Sequence, residues 1–201
     1  MKKICIISNS NLGSFFRYLD LFNESKIKFS IISEKDLKFR KYKNVNFNFL
    51  KYKNNIDFND KALKIIEKFN PEMIVLFFTK KINKKIFKKY ITINIHNSLL
   101  PDYKGLNALK KSFKDENKFI CSSSHMVNEK FDSGKIINQI VTPVKKQTLK
   151  FYEKIAFFQR IILLKALINN KLKKTRYSLI NGETLLSPGL GKNKINYKFW
   201  I

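Results

Sequence analysis

Met73–Ile95 reads MIVLFFTKKINKKIFKKYITINI: an apolar run, a basic stretch with spaced apolar residues, then a second short apolar run. The unbroken hydrophobicity of Met73–Phe78 is that of a strand buried on both faces. Ile82–Tyr90 carries the periodicity of an amphipathic helix, and Thr92–Ile95 reads as another strand. A strand, a helix of this length and a second strand imply a parallel pair joined by a right-handed crossover. Chemistry is then expected where such strands end at their carboxyl termini.

The pattern extends towards the N-terminus. Lys3–Ser8 (KICIIS), Phe29–Ser33 and Val45–Phe49 predict strands, and Leu12–Phe22 and Asp60–Phe69 predict helices. Beyond Ile95 the pattern changes. Phe119–Val127 and Lys135–Val144 are extended runs joined by a turn that contains Asp132, Ser133 and Gly134, which predicts an antiparallel pair. Thr148–Asn169 predicts one long helix with Phe151, Ile155, Phe158, Ile162 and Ala166 on its apolar stripe. The tail beyond Ser178 holds turn signals and reads as a loose β appendage. The expected fold is α/β: a Rossmann-like, mostly parallel sheet flanked by helices, with an antiparallel C-terminal extension. Residues 1–201 are expected to form a single domain, with 170–201 a small C-terminal appendage.

The chain of 201 residues carries a formal charge of +26. Such a surplus suits polyanionic ligands, but the abundance of Asn, Ile and Phe beside Lys also fits A/T-rich codon usage. Cys5 and Cys121 offer neither a disulfide framework nor a metal spacing. No apolar run approaches the roughly 20 residues that span a bilayer. The apolar stretch Ile4–Ile7 is too short for a secretory signal, so a cytoplasmic location is expected.

Only two histidines are present, and each lies in a dense polar motif. Strand alternation sets Asn94 and His96 on one face at a strand's carboxyl end. An amide donor beside an imidazole suits oxyanion stabilisation with proton relay. Taken alone, His96 reads equally well as a histidine satisfied by backbone in a tight turn. Likewise, Asp132 alone reads as a turn-forming Asp. Near a histidine it would fix that ring and favour its charged form.

Together the motifs are specific. Asn-x-His-x-Ser-Leu-Leu-Pro at 94–101, followed by His-x-Val-x-x-x-x-Asp-x-Gly-x-Ile-Ile-x-Gln at 125–139, resembles the folate-dependent formyltransferases. Within them it is most similar to the glycinamide ribonucleotide (phosphoribosylglycinamide) transformylases. The resemblance implies formyl transfer from 10-formyltetrahydrofolate, a cosubstrate, to the amine of a phosphorylated acceptor, without metal. It implies a catalytic trio of Asn94, His96 and Asp132, with Asp132 raising the pKa of His96, and His125 and Ser123 in support. Ser10, Asn11, Leu12, Gly13 and Gln159 would bind the acceptor and its phosphate, and Phe78, Thr79, Lys81, Ile82 and Gly134 the folate.

The sequence departs from the family at the parts that select substrates. The loop after the first strand keeps Ser10-Asn11-Leu12 but lacks the preceding glycines. Lys81 stands where the family has arginine, Asn97 where it has proline, and Gln159 where it has an acidic residue. The alternative acceptor is an amino-sugar nucleotide for surface polysaccharide. The chain's length weighs against methionyl-tRNA formylation and formyltetrahydrofolate hydrolysis, which in the family use additional domains. A basic nucleic-acid-binding relative is the reading from another class, and binding alone would not call for Asn94, His96 and Asp132 together.

Overall fold

The computed structural model describes residues 1–9, 26–36, 43–144 and 148–169 in full, and the backbone of Thr175–Leu179 and Gly182–Pro188. By its contacts the chain divides into two compact units, Met1–Asn94 and Ile95–Ile201.

The first unit is built on parallel strands β1 (Lys2–Ser8), β2 (Ile27–Ser33), β3 (Val45–Phe49), β4 (Met73–Phe77) and the start of β5 (Thr92–His96). Their order is β3-β2-β1-β4-β5. The register sets Ser8 level with Ser33 on one side and Phe77 on the other, so the carboxyl ends of three strands align. Ile4, Ile6, Ile7, Phe29, Ile31, Ile74 and Val75 are fully buried. Each such side chain contributes about 1.5–3 kcal/mol relative to exposure.

Helix α1 (Asn55–Phe69) begins earlier than its apolar spacing predicts, because Asn54 caps it. The Asn54 side chain accepts from the backbone N–H groups of Ile56 and Asp57, which satisfies donors the helix cannot pair internally. Phe58, Ala62 and Ile66 recur at helical spacing on its buried face. Helix α2 (Lys84–Lys89) starts after Ile82 for the same reason: the Asn83 side chain accepts from the Lys85 N–H. The predicted helix Leu12–Phe22 lies outside the described residues.

The second unit contains strands β6 (Phe119–Met126), β7 (Ile136–Pro143), β8 (Thr175–Leu179) and β9 (Gly182–Pro188), in the antiparallel order β6-β7-β9-β8. Strands β8 and β9 form a hairpin whose inner ends are Leu179 and Gly182, so this part of the tail is regular β structure. A short helix absent from the sequence reading, α3 (Ala108–Lys114), and the long α4 (Leu149–Ile168) complete the unit. Leu109, Ile120, Tyr152, Ile155 and Ala156 form one buried cluster that joins α3, α4 and β6.

Candidate active site

At the carboxyl edge of the first unit, the Asn9 N–H donates to the Phe77 carbonyl, and the Asn9 amide donates to the Thr79 hydroxyl. This contact ties β1 to β4, the neighbours on either side of the point where strand order reverses, a position that gathers ligands in open α/β sheets. Ser10, Asn11, Leu12 and Gly13 follow directly and lie outside the described residues. Of the expected folate residues, Thr79 and Lys81 keep exposed side chains. Phe78 and Ile82 instead belong to the core, with Phe78 stacked on Phe58 at 4.8 Å. The Lys81 carbonyl accepts from Asn55 and Asn59 of α1. Next to these, Glu34 accepts from Tyr52 and Lys80, both at 2.7 Å, which joins the segments that leave β2, β3 and β4.

Asn94 is half-buried on β5, opposite Leu76 of β4, and precedes His96 by one alternation. His96 ends β5 and is 7% exposed. The chain then turns through Asn97–Leu100 and a cis Leu100–Pro101 peptide. Buried polar groups hold this turn onto β6 and β7. The Leu100 N–H donates to the Ser123 hydroxyl, which donates to the Ser98 carbonyl at 2.8 Å. The Gln139 amide donates to the Leu100 carbonyl at 2.8 Å and to Ser123 at 3.0 Å. Ser123 was expected as a supporting residue. Gln139, last residue of the second motif, also holds this turn, which its position in the motif does not reveal.

The second histidine approaches from β6. A register shift between Ser124 and His125 interrupts the β6–β7 ladder, and such bulges re-aim side chains. His125 Nε2 lies 3.3 Å from Asp132 Oδ1, while His96 Nδ1 lies 3.6 Å from Asp132 Oδ2. The Gly105 N–H donates to the same Oδ2 at 2.8 Å. One carboxylate therefore stands between both histidines of the chain.

Asp132 takes a left-handed backbone conformation, with φ of 46°. This region costs a non-glycine residue of the order of 1–3 kcal/mol. The surrounding turn fixes it: Asn128 accepts from Lys130 N–H and from the Ser133 hydroxyl, and the Met126 N–H donates to the Lys135 carbonyl. Gly134 lies against the strand so closely that a Cβ there would overlap the Met126 carbonyl. Its glycine character is thus a packing requirement of the Asp132 turn, in addition to the folate contact expected for it.

Partial burial alone would raise the Asp132 pKa, but His125, His96 and the Gly105 N–H together bring it down to about 2. The outcome for His96 differs from expectation. Burial is the largest influence and disfavours the imidazolium; Asp132 and the Tyr103 carbonyl pull the other way but do not overcome it. The charges of His125 and Arg160 add to the downward shift. The net direction is down, which disfavours the imidazolium. Arg160, on α4, was not anticipated; burial lowers its own pKa to about 10, and its buried Nε has no hydrogen-bond partner among the described residues.

Gln159, expected to contact the acceptor, faces the interior. It is fully buried; its amide donates to the Ile120 carbonyl and the Thr142 hydroxyl, both at 2.8 Å, and accepts from Ser122 at 3.0 Å. These bonds tie α4 to β6 and β7. No cluster of three or more potential metal-ligating side chains occurs among the described residues, and no described helix is long and apolar enough to cross a membrane.

The arrangement of a buried imidazole, an ionised carboxylate and a preceding amide fits the chemistry of acyl transfer, and comparison with known proteins points the same way. The formyl transferase family model matches residues 4–167. Bifunctional polymyxin resistance protein ArnA of Wigglesworthia glossinidia brevipalpis is 31% identical over 169 residues, 80% of this chain and 25% of that protein. Phosphoribosylglycinamide formyltransferase of Haemophilus influenzae is 30% identical over 45% of this chain and 44% of its own length. The chain thus spans less than half of either curated relative. Among solved structures, glycinamide ribonucleotide transformylase 1 from Geobacillus kaustophilus superposes with a TM-score of 0.71 at 18% identity, over 86% of this chain and 100% of that one. A formyltetrahydrofolate deformylase from Pseudomonas syringae gives 0.70 at 14% identity, over 92% of this chain and 66% of that one. The chain belongs to the formyl transferase family.

Proposed function

We propose that the protein transfers a formyl group from 10-formyltetrahydrofolate to the amine of a phosphorylated acceptor, with glycinamide ribonucleotide as the leading candidate. The observation that carries this reading is the His96–Asp132 pairing, with Asn94 one alternation earlier on the strand. The amine attacks the formyl carbon, a C–N bond forms, and the carbonyl oxygen becomes an oxyanion. The Asn94 amide donates to that oxygen. Neutral His96, backed by ionised Asp132, accepts the proton that the amine loses. It returns this proton to N10 as the bond from N10 to the formyl carbon breaks. The downward shift at His96 suits this role, since a base must be unprotonated before the amine arrives. Removal of one oxyanion donor costs about 100- to 1,000-fold in rate.

A second acceptor class, an amino-sugar nucleotide, is favoured by one observation. Gln159, which would have contacted the ribose of glycinamide ribonucleotide, is consumed by the core. A folate-coupled assay with glycinamide ribonucleotide beside amino-sugar nucleotides separates the two. Saturable turnover of the ribonucleotide supports the first reading; turnover of the sugar nucleotide alone supports the second; formylation of neither amine overturns the function. The basic character of the chain fits anionic substrates under both readings and predicts a kcat/KM that falls with added salt.

A further inference from the structure

The two ring nitrogens of His96 have different neighbours. Nε2 lies 2.7 Å from the main-chain carbonyl of Tyr103, while Nδ1 faces Asp132 Oδ2 across 3.6 Å. A carbonyl only accepts, so the nitrogen beside it must carry the proton. The longer gap on the other side exceeds a direct hydrogen bond. It leaves Nδ1 able to exchange a proton with a third group.

The carbonyl that imposes this choice is itself anchored. The Tyr103 phenol donates to Asp115 Oδ2 and accepts from the Asn117 amide, both at 2.8 Å. Its ring packs against the buried cluster of Leu99, Phe119, Cys121 and Val141. The Tyr103 N–H donates to the Leu99 carbonyl at 2.8 Å. Asn117 is fixed in turn, since its amide also donates to the Ser112 carbonyl and its own carbonyl accepts from Tyr152. The same short segment delivers the Gly105 N–H to Asp132. Tyr103 is thus held at its backbone, its ring and its hydroxyl, on a segment that touches both members of the His96–Asp132 pair.

We propose that Tyr103 is a positioning residue: its carbonyl, fixed through the phenol's bonds to Asp115 and Asn117, locks neutral His96 as the Nε2–H tautomer and makes Nδ1 the nitrogen that exchanges the reacting proton. No part of Tyr103 need touch substrate. The proposal deepens the proposed function, and its kinetic arm rests on that reading; its spectroscopic arm does not. His125 presents Nδ1 to the Met126 carbonyl at 2.9 Å and Nε2 to Asp132 Oδ1 at 3.3 Å, so an oxygen faces each of its ring nitrogens. The charged groups that act on His96 are Asp132, His125 and Arg160.

The test is 15N NMR of the imidazole nitrogens in the full chain, above the histidine titration range, with wild type, Tyr103→Phe and Asp115→Asn. Wild type should show a pyrrole-type Nε2 and a pyridine-type Nδ1 for His96. Tyr103→Phe keeps the carbonyl but loses both phenol bonds, so His96 should show a mixture of tautomers. In the formyl-transfer assay, kcat should fall about five- to tenfold, the size of one well-placed hydrogen bond, with KM unchanged. Asp115→Asn retains an acceptor oxygen for the phenol and should keep the wild-type spectrum. A wild-type His96 protonated on Nδ1, or a Tyr103→Phe spectrum identical to wild type, overturns the proposal. The wild-type spectrum alone decides the tautomer even where a variant fails to fold. If no amine is formylated while the spectra behave as stated, the proposed function falls and this inference stands.

Discussion

His96 and His125 meet through a single carboxylate, His96 at Oδ2 of Asp132 across 3.6 Å and His125 at Oδ1 across 3.3 Å. In the proposed mechanism His125 acts through Asp132. With His125→Leu, Asp132 loses the strongest of the contacts that hold its pKa near 2, and that pKa should rise towards its ordinary 3.8. Turnover should fall about five- to tenfold, in line with one lost hydrogen bond. Titration of Asp132 by carboxyl 13C NMR checks the shift, and an unchanged value would show that His125 has no such role.

The pH dependence follows from the two shifted groups. Burial places the pKa of folded His96 below 6.5, so the unfolded chain binds the proton more readily. The contribution of His96 to stability is present above 6.5 and is lost as pH falls through the lower folded value. Asp132 behaves alike at lower pH: its contribution is present above 3.8 and is lost as pH falls towards 2. Activity should rise with pH along an acid limb centred below 6.5. A limb centred above 6.5 would mean that Asp132 outweighs burial, contrary to the geometry.

Gln159→Ala separates a structural residue from a binding one. Truncation leaves the Ile120 carbonyl, Thr142 and Ser122 without their partner inside the core. Unsatisfied buried groups cost about 1–3 kcal/mol each, though not additively. Thermal unfolding should show a large loss of stability with KM for the acceptor unchanged. A raised KM at unaltered Tm would return Gln159 to the binding site.

Gly134→Ala should displace the Asp132 turn, because its methyl group meets the Met126 carbonyl rather than a movable side chain. Overpacking of this kind costs about 1–3 kcal/mol. Activity and Tm should fall together, as measured by kcat and thermal melting on the same preparation. An unaltered kcat would contradict the close packing of turn on strand.

Much of this was legible from residue order. The strands that end at Ser8, Phe77 and His96 follow from continuous apolar runs, and the antiparallel pair follows from the turn at Asp132–Gly134. Helix starts were missed where an asparagine, Asn54 or Asn83, captured backbone N–H groups ahead of the apolar periodicity. The two readings of His96, catalytic or satisfied by backbone, proved compatible, since one nitrogen meets the Tyr103 carbonyl and the other Asp132. The sign of the His96 shift was not legible, because it depends on burial, which a motif does not reveal. Tyr103 and Gly105 were likewise hidden: each acts through a main-chain atom, and any residue has those. Gln159 was misplaced because one buried glutamine and one ligand-facing glutamine look alike in a helical pattern.

The most direct test compares wild type, His96→Ala and Asp132→Asn in a folate-coupled formyl-transfer assay, with circular dichroism to confirm that all three are folded. Wild type should formylate the acceptor, and kcat should fall about 100- to 1,000-fold in each variant, comparable to the loss of one oxyanion-hole donor. Full activity in folded His96→Ala or Asp132→Asn would contradict the proposed mechanism.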